Sequence, residues 1–330
     1  MNKDKISSFF RKYGILCVFI AMFTYFSFFA PNFLNIKNIF NVSRQIAALG
    51  ICAVGMTMVL ICGGTDLSMG FQISLVNVVC ASLMVKAGWH PIPAVMVVIV
   101  MGVLMGCVNG IIIVKSGVPP LIVTLATMNV FQGLSFLVSK GLPIFGFPRG
   151  FSFLGQGTIF GVIPVPLILM VVVILLGNFF LRKVYIGRYF YAVGSNSEAA
   201  KLSGINTGKV VVIAHTLCGL LTAIAGVLTL SRVNSGLSAN GKGFEFNVIT
   251  ACVLGGVSAQ GGKGTIGGAL LGCLIVGFLE NGLLLMNVNE YIQMVIQGLL
   301  LLAAVCYDTA MLRRNDKVKK VKAINANNEV

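Results

Sequence analysis

The residue of this sequence whose type and position are best suited to chemistry is Asp66, a carboxylate between two apolar runs. The stretch from Gly63 to Gly70 reads Gly-Gly-Thr-Asp-Leu-Ser-Met-Gly, so paired glycines and a hydroxyl accompany the carboxylate. Irregular backbone at membrane depth persists only where protein or a water-filled cavity satisfies it, and an ionisable side chain there indicates a functional site. The alternative is a tight turn between two helices in which Asp66, supplemented by Ser68, caps the second helix. The two roles are compatible.

Neutral amide side chains form a second group of candidate functional residues. Each stands in an apolar run, where it could hydrogen-bond a hydrophilic solute. Together with Asp66 they are predicted to line a translocation path, and the set is Asn77, Asn109, Asn129, Gln132 and Asn281. Hydrogen bonding between helices is the alternative role for every amide in this set, and for the neighbouring carboxylate Glu280.

The sequence carries no signature of catalysis or metal binding. The nine cysteines all fall in apolar runs and form no Cys-x-x-Cys pair. Gln260 to Thr265 is similar at first sight to a phosphate-binding loop, but Val257 and Gly264 occupy positions that require Gly and Ser or Thr. We therefore predict that the protein is not an enzyme and has no cofactor or metal. Any ATP that it uses must be bound by a separate subunit.

The longest polar interval inside the sequence runs from Gly187 to Lys209. It predicts a helix of one or two turns with a polar N-cap, an acidic first turn and a left-handed glycine after its end. Helices this short are marginal in water alone, which favours a helix shaped for a partner's groove. The alternative is an ordinary cytoplasmic loop whose positive charges only set the topology. The residues assigned to the helix are Asn196, Ser197, Glu198, Ala199, Ala200 and Gly204.

The composition is typical of a polytopic membrane protein. The chain is 57% hydrophobic and only 10% charged, against about 25% charged residues in soluble domains. Its 330 residues have room for about ten helical spans of roughly 20 residues each. We expect an all-α fold with broken or re-entrant segments, and with spans at 14–30, 45–62, 70–86, 92–114, 119–138, 162–181, 210–231, 248–260, 265–286 and 291–308.

The distribution of basic residues predicts the orientation in the membrane. With ten spans and both termini in the cytoplasm, 17 of the 24 Lys and Arg residues fall on the cytoplasmic side and 7 fall outside, as the positive-inside rule requires. The net charge of +15 therefore needs no nucleic-acid partner. Residues 1–310 are predicted to form one transmembrane domain with a cytoplasmic loop at 182–209, and the basic tail at 311–330 is predicted to be disordered.

Three motifs together give the chain a family resemblance. They are Gly-Gly-Thr-Asp-Leu-Ser-Met-Gly at 63–70, Gly-Ser-Asn-Ser-Glu-Ala-Ala-Lys-Leu-Ser-Gly-Ile at 194–205 and Val-Leu-Gly-Gly-Val-Ser-Ala-Gln-Gly-Gly-Lys-Gly at 253–264. With these motifs the chain resembles, over nearly its whole length, the permease subunits of ribose-type ABC sugar importers. Thr65 and Met69 stand where that family more often has Ile and Val. These small departures bear on the identity of the substrate and not on the class.

The resemblance implies a permease of the bacterial inner membrane that alternates between outward and inward access. It implies that the helix from Ser197 to Gly204 docks on a separate ATPase subunit, which binds the ATP. It also implies a periplasmic or lipid-anchored binding protein, a second permease copy, identical or paralogous, and a monosaccharide or sugar-like cargo. One alternative is a secondary transporter driven by an ion gradient, for which Asp66 and Glu280 are the candidate groups. A membrane-embedded enzyme, the other alternative, would need a catalytic constellation that this sequence lacks.

Overall fold

The structure is a computed structural model in which the backbone is described from residue 3 to residue 328 and the side chains from 14 to 310. Within that range the chain forms thirteen helices and one pair of two-residue antiparallel strands. In chain order these are α1 (Lys3–Phe29), α2 (Ile36–Ile61), α3 (Met69–Val85), α4 (Pro91–Ser116), α5 (Pro120–Ser139), α6 (Phe153–Gln156), β1 (Thr158–Ile159), β2 (Ile163–Pro164), α7 (Val165–Lys183), α8 (Tyr185–Ser195), α9 (Ser197–Leu202), α10 (Thr207–Val233), α11 (Phe244–Leu254), α12 (Ile266–Leu285) and α13 (Glu290–Asn328).

A helix is present at each of the ten predicted spans. Among the described residues, seven helices are long and apolar enough to cross a membrane, and α3, α11 and the part of α1 from Gly14 are shorter apolar helices. The prediction of an all-α polytopic membrane protein is therefore confirmed. The span predicted at 45–62 begins nine residues too late, because α2 starts at Ile36, and the span predicted at 248–260 ends too late, because α11 already ends at Leu254. Gly255 and Gly256 follow it, Gly256 with a left-handed φ of +82° that ends the helix readily.

The helices α2 and α3 form the interior of the bundle. Every residue of α2 from Ile46 to Ile61 is buried, as is every residue of α3 from Met69 to Val78. A helix that is apolar all round is expected to be enclosed by other helices. Here α7, α10, α11 and α12 pack around α2, while α4, α5 and α10 pack around α3. Polar side chains on this part of α3 are therefore enclosed by other helices of the same chain.

A glycine seam joins α4 to α10, which form the most extensive helix pair of the bundle. Gly102, Gly106 and Gly110 recur every four residues on α4, a spacing that lets helices approach closely. A Cβ atom added at Gly106 would overlap the carbonyl oxygen of His215, and one added at Gly110 would lie 2.7 Å from the Cα atom of Val212. The two backbones therefore meet directly.

One end of the bundle brings together three separate parts of the chain. The amide of Gly262, in the loop between α11 and α12, donates to the carbonyl of Ile61 at the end of α2 (2.8 Å). Gly194, near the end of α8, packs against the same carbonyl. Because α9 follows directly, this end is called the α9 end below.

The opposite end carries the connection between α5 and α6. Left-handed glycines stand at 141, 146 and 150, and Ile144 forms an antiparallel bridge with Gly236. Turns and a four-residue helix thus make up the segment that the glycines and prolines of 141–157 predict to be irregular.

The last helix extends further than the sequence predicts. The predicted span ends at 308 and the tail from 311 is predicted to be disordered, whereas the backbone of α13 is helical to Asn328. Residues 311–328 contain neither Gly nor Pro, and Lys, Arg and Ala are good helix formers. The local sequence therefore contains nothing that ends the helix.

Candidate functional site

The Asp66 segment forms a hydrogen-bond network centred on the hydroxyl of Ser68. Asp66 Oδ1 accepts from the backbone N–H of Ser68 (2.9 Å) and from its hydroxyl (2.5 Å). Two amides donate to Ser68 Oγ, namely Gln72 Nε2 at 2.7 Å and Asn109 Nδ2 at 2.9 Å. All four side chains are fully buried. The network therefore ties the turn before α3 to α4 in the interior of the chain.

The role of Asp66 differs in detail from the predicted helix cap. Ser68 is the N-cap residue of α3, and no side chain caps the first turn there. Asp66 lies two residues earlier and bonds to Ser68 itself. Its carboxylate thus fixes the turn between α2 and α3, in the manner of an Asx turn, instead of accepting from the first N–H groups of the helix.

This network contains more acceptors than donors. The single hydroxyl hydrogen of Ser68 goes to Asp66, so Gln72 and Asn109 must both present N–H groups to Ser68 Oγ and direct their oxygens elsewhere. Asp66 Oδ2, Gln72 Oε1 and Asn109 Oδ1 are buried and meet no donor among the described residues. Such acceptors are ordinarily satisfied by water or by a bound group. The cluster is therefore suited to receive hydrogen bonds from a small donor.

His215 of α10 lies beside the same turn. A Cβ atom placed on Gly64 would be 3.4 Å from His215 Cε1. His215 Nδ1 is 3.0 Å from the carbonyl oxygen of Val211, to which it donates, so the ring is assigned as the tautomer in which Nε2 is an acceptor. This Nε2 is also buried without a partner in the described part of the chain. Neither His215 nor Gln72 is among the site residues predicted from the sequence, although Gln72 follows Ser68 by one helical turn.

The interior path residues are closed off from solvent in this structure. Asp66, Asn77 and Asn109 have no exposed surface, and both polar atoms of the Asn77 amide lack a partner among the described side chains and backbone. None of the three lines an open path here. Their part in translocation stays a prediction.

Glu280 is held by amides from three other helices. Its Oε1 accepts from Asn247 Nδ2 of α11 (2.7 Å) and from Gln297 Nε2 of α13 (3.0 Å). Its Oε2 accepts from Gln45 Nε2 of α2 (3.0 Å). The carboxylate therefore joins four helices through neutral donors.

Asn281, the next residue, makes a reciprocal amide pair. It exchanges two hydrogen bonds of 2.9 Å with Asn38, at the start of α2. Asn38 also donates to the carbonyl of Phe33 (2.9 Å). Asn281 thus joins α12 to α2, which is the alternative role that the sequence leaves open for it.

Asn129 and Gln132 lie on a thinly packed helix. On α5 the side chain of Asn129 is exposed and that of Gln132 is half-buried, among exposed apolar neighbours such as Leu125 and Val130. Asn129 is the tenth of the twenty residues of α5, so it stands halfway along the helix. Of the predicted path residues, these two are the ones with surface open to the outside of the chain.

A cavity lies at the C-terminal end of α5, at the end of the bundle opposite the α9 end. It has a volume of about 410 Å³, within the usual range of about 300–1,000 Å³ for small-ligand sites. Phe136, Leu142 and Pro143 line one side of it, and the segment from Leu237 to Asn240 lines the other.

The predicted short helix is present as α9. Asn196 is its N-cap, and Asn196 Oδ1 accepts from the backbone N–H of Ala199 (2.9 Å). Glu198 stands in the first turn, where the positive end of the helix dipole is close. Gly204 has a φ of +82°, the left-handed conformation that the sequence predicts there.

The two faces of α9 have different surroundings. Ala200 is only 5% exposed and packs into the core, whereas Ser197, Glu198 and Ala199 are exposed. Leu202 projects from the last turn with 90% of its side chain exposed. Ala200 is therefore not available to a partner. The large apolar side chain that is available is Leu202, which was not among the residues predicted from the sequence. The sequence signal for it is one large apolar residue in a polar helix.

The loop between α11 and α12 is committed to internal contacts. The N–H groups of Gly261 and Gly262 donate to the carbonyls of Ser258 and Ile61, so they are not free to cradle a phosphate. The Tyr191 hydroxyl of α8 donates to the carbonyl of Gly264 (2.9 Å). Burial raises the pKa of Tyr191, and the phenol therefore keeps its proton for this bond.

These elements define a polytopic membrane protein with an irregular polar segment enclosed by helices and a short helix presented at one end. The chain belongs to the family described as "Branched-chain amino acid transport system / permease component", which it matches over residues 38–305. It is a transport subunit and not an enzyme. The multi-pass membrane location predicted from composition is confirmed.

Curated relatives are similar over most of their length. The ribose import permease protein RbsC of Escherichia coli strain K12 is 39% identical over 297 residues, covering 89% of this chain and 92% of the relative. RbsC of Bacillus subtilis strain 168 is 41% identical over 280 residues, with 84% and 86% covered. The L-arabinose transport system permease protein AraH of Escherichia coli strain K12 is 38% identical over 307 residues, with 90% of each chain covered. No solved structure gives a significant match. The resemblance carried by the three motifs is therefore confirmed.

Proposed function

We propose that this chain is the membrane subunit of an ATP-driven sugar importer of the bacterial inner membrane. It moves a monosaccharide or a sugar-like solute by alternating access, while a separate subunit binds and hydrolyses ATP. Support comes from relatives whose names specify ribose import and L-arabinose transport. The candidate path also carries neutral amides at Asn129 and Gln132, which suit an uncharged, hydroxylated cargo.

The observation that carries the proposal is the geometry of α9. Ala200 anchors the helix on the bundle, Asn196 caps it, and Leu202 projects outward. A short helix that is marginal in water but held in this way suits the groove of a partner protein. The partner in this proposal is the ATPase subunit. The α9 end and both termini are then cytoplasmic, in agreement with the basic residues of 182–209.

A second permease copy completes the path in this proposal. Asn129 is an exposed amide halfway along an apolar helix. One N–H of this amide donates to the carbonyl of Leu125 (3.3 Å), but its oxygen and second N–H would be poorly satisfied by lipid at that depth, since polar groups inside a membrane face protein or a water-filled cavity. The exposed face of α5 therefore turns toward the paired copy, with Asn129 and Gln132 lining the space between the two chains. A binding protein delivers the solute at the opposite end, where the cavity beside Phe136 opens.

The test is reconstitution of transport in liposomes. The chain is co-purified with a cognate ATPase subunit, a cognate binding protein is added, and uptake of labelled ribose, arabinose and galactose is followed. We expect accumulation of one sugar only when ATPase, ATP and binding protein are all present. The control contains the chain alone under an imposed proton or sodium gradient. Concentrative uptake in that control would overturn the proposal in favour of the secondary transporter.

A further inference from the structure

The three motifs of the sequence converge on one contact at the α9 end. Gly63 belongs to the Asp66 motif, Gly194 to the α9 motif, and Gly261 and Gly262 to the motif between α11 and α12. These four residues are called the glycine junction below. Gly63, Gly194 and the adjacent pair Gly261 and Gly262 are far apart in sequence, so only the fold brings these three segments together.

The contacts in the glycine junction are between backbones. A Cβ atom at Gly194 would overlap the carbonyl oxygen of Ile61 and lie 2.7 Å from the amide nitrogen of Gly262. One at Gly261 would lie 2.9 Å from both the carbonyl oxygen of Gly194 and the Cα atom of Gly63. Real Cβ atoms are not found so close to other heavy atoms. A side chain at Gly194 or Gly261 would therefore push the segments apart.

Hydrogen bonds hold the same segments together. The 2.8 Å bond from Gly262 to the carbonyl of Ile61 joins the α11–α12 loop to α2, and the Tyr191 hydroxyl joins α8 to that loop. Asp308 of α13 accepts from the hydroxyl of Ser258 and from the N–H of Ala259, both at 3.2 Å. The base of α9 is thus fixed to segments from three other parts of the chain.

We infer that Gly194 is a positioning residue for energy coupling, acting through the glycine junction. Backbone contacts contain no rotamers that could absorb a displacement, so a shift of α9 must move the end of α2 with it. That end leads through Gly63 and Gly64 directly into the Asp66 turn. Motion imposed on α9 thereby reaches the buried Ser68 network. The inference rests on the proposed function, since it takes α9 as the element that the ATPase moves.

The test compares Gly194→Ala with the parental chain in the reconstituted transporter. Gly194 has no left-handed backbone, so the added methyl group acts only through the contacts described above. We expect ATPase binding and basal ATP hydrolysis to be retained. The binding-protein stimulation of hydrolysis and the sugar uptake should fall together by at least about fivefold, the lower end of ordinary coupling between sites.

Two matched controls separate coupling from general damage. Gly267→Ala lies near the same loop, but its Cβ atom would meet nothing within 4 Å, and we expect parental behaviour. Gly272→Ala overlaps the carbonyl oxygen of Ala251 in the α11–α12 seam, away from α9, and should lower thermal stability while keeping the ratio of stimulated to basal hydrolysis. If Gly194→Ala matches either control in that ratio, the inference is overturned.

Tyr191→Phe keeps the test decisive if Gly194→Ala does not fold. It removes the hydrogen bond to Gly264 without adding volume, and we expect a smaller fall in the same ratio. An unchanged ratio in a stably folded Tyr191→Phe would then contradict the inference. The parental transporter is assayed first, and a parental transporter without ATP-driven uptake would count against the proposed function. If the parental transporter is active and Gly194→Ala is equally active, the result counts against the role of the glycine junction alone.

Discussion

The side-chain amide of Asn109 in α4 donates to the hydroxyl of Ser68 at the start of α3, over 2.9 Å in the fully buried interior of the chain. Because the same hydroxyl donates to Asp66, the orientation of the Asn109 amide is determined by the network. The bond connects the broken segment between α2 and α3 to the helix that packs directly on α10. A substitution of Ser68 or Asn109 should therefore perturb both the broken segment and α4.

The Asp66 network predicts that Asp66→Ala lowers stability more than Asp66→Asn. Alanine leaves the N–H and the hydroxyl of Ser68 without their acceptor, at a cost of about 1–3 kcal/mol for buried groups. Asparagine keeps one acceptor and replaces the unpaired Oδ2 with a donor in a cluster rich in acceptors. The measurement is the thermal unfolding midpoint of the purified chain in detergent. Equal midpoints for the two variants would contradict this account of the network.

Leu202→Ala should weaken binding to the ATPase without affecting folding. At 90% exposure the side chain contributes little within the chain, and surface changes are usually within about 0.5 kcal/mol. Burying a Leu in a partner's groove is worth about 1.5–3 kcal/mol, so the Kd should rise by more than about tenfold. The Kd is measured by titration of ATPase into the chain in nanodiscs. Leu142→Ala, at an exposed leucine of the opposite end, is the control and should leave the Kd unchanged.

Ala199 and Ala200 should respond differently to the same substitution. Ala200→Leu forces a larger side chain into the core at a cost of about 1–3 kcal/mol, so it should lower the unfolding midpoint and the expression level. Ala199→Leu changes an exposed position and should leave the midpoint unaltered while reducing ATPase binding. Equal stability of both variants would mean that α9 is not anchored through Ala200 in the membrane.

Asn129→Leu should reduce sugar uptake by the assembled transporter. Loss of one hydrogen bond to the solute is worth about 0.5–1.5 kcal/mol, a decrease of roughly two- to tenfold in uptake at low sugar concentration. Val130→Leu, at the neighbouring exposed position, is the control and should leave uptake unchanged. If Asn129 faces lipid instead, the leucine variant will be more stable than the parental chain and equally active.

The sequence predicts the helices of this protein well, because hydropathy and glycine positions act locally. Asn196 and Gly204 bound α9 as expected, since a cap needs only its own first turn and a left-handed glycine only its own backbone. The end of α11 at Leu254 is not predicted, because the predicted span continues through Gly255 and Gly256, where the helix in fact ends with a left-handed Gly256.

The candidate site is harder to predict, because it depends on which face of each helix is covered. Ala199 and Ala200 are adjacent and identical in type, yet one is exposed and the other packs on the core. Asn109 and Asn129 are both amides in apolar runs, and only packing distinguishes an interior hydrogen-bond donor from an exposed group halfway along α5. The glycine junction is equally hidden, because its members approach one another only in three dimensions.

The seam between α4 and α10 restricts where this protein can change shape. Gly106 packs against Gly219 and Gly110 against Val212, so main-chain contacts fix the distance between the axes of α4 and α10 over several turns. Rotation of either helix would drive backbone into backbone, and the pair must therefore travel as one rigid body. The helices α5, α7 and α13 are thinly covered, and in the part of the chain with described side chains Gly133 of α5 and Gly298 of α13 meet no neighbouring atom, while Gly177 of α7 meets only side chains. Any rearrangement that opens and closes a passage should accordingly be concentrated at the boundary between the rigid α4–α10 pair and these outer helices.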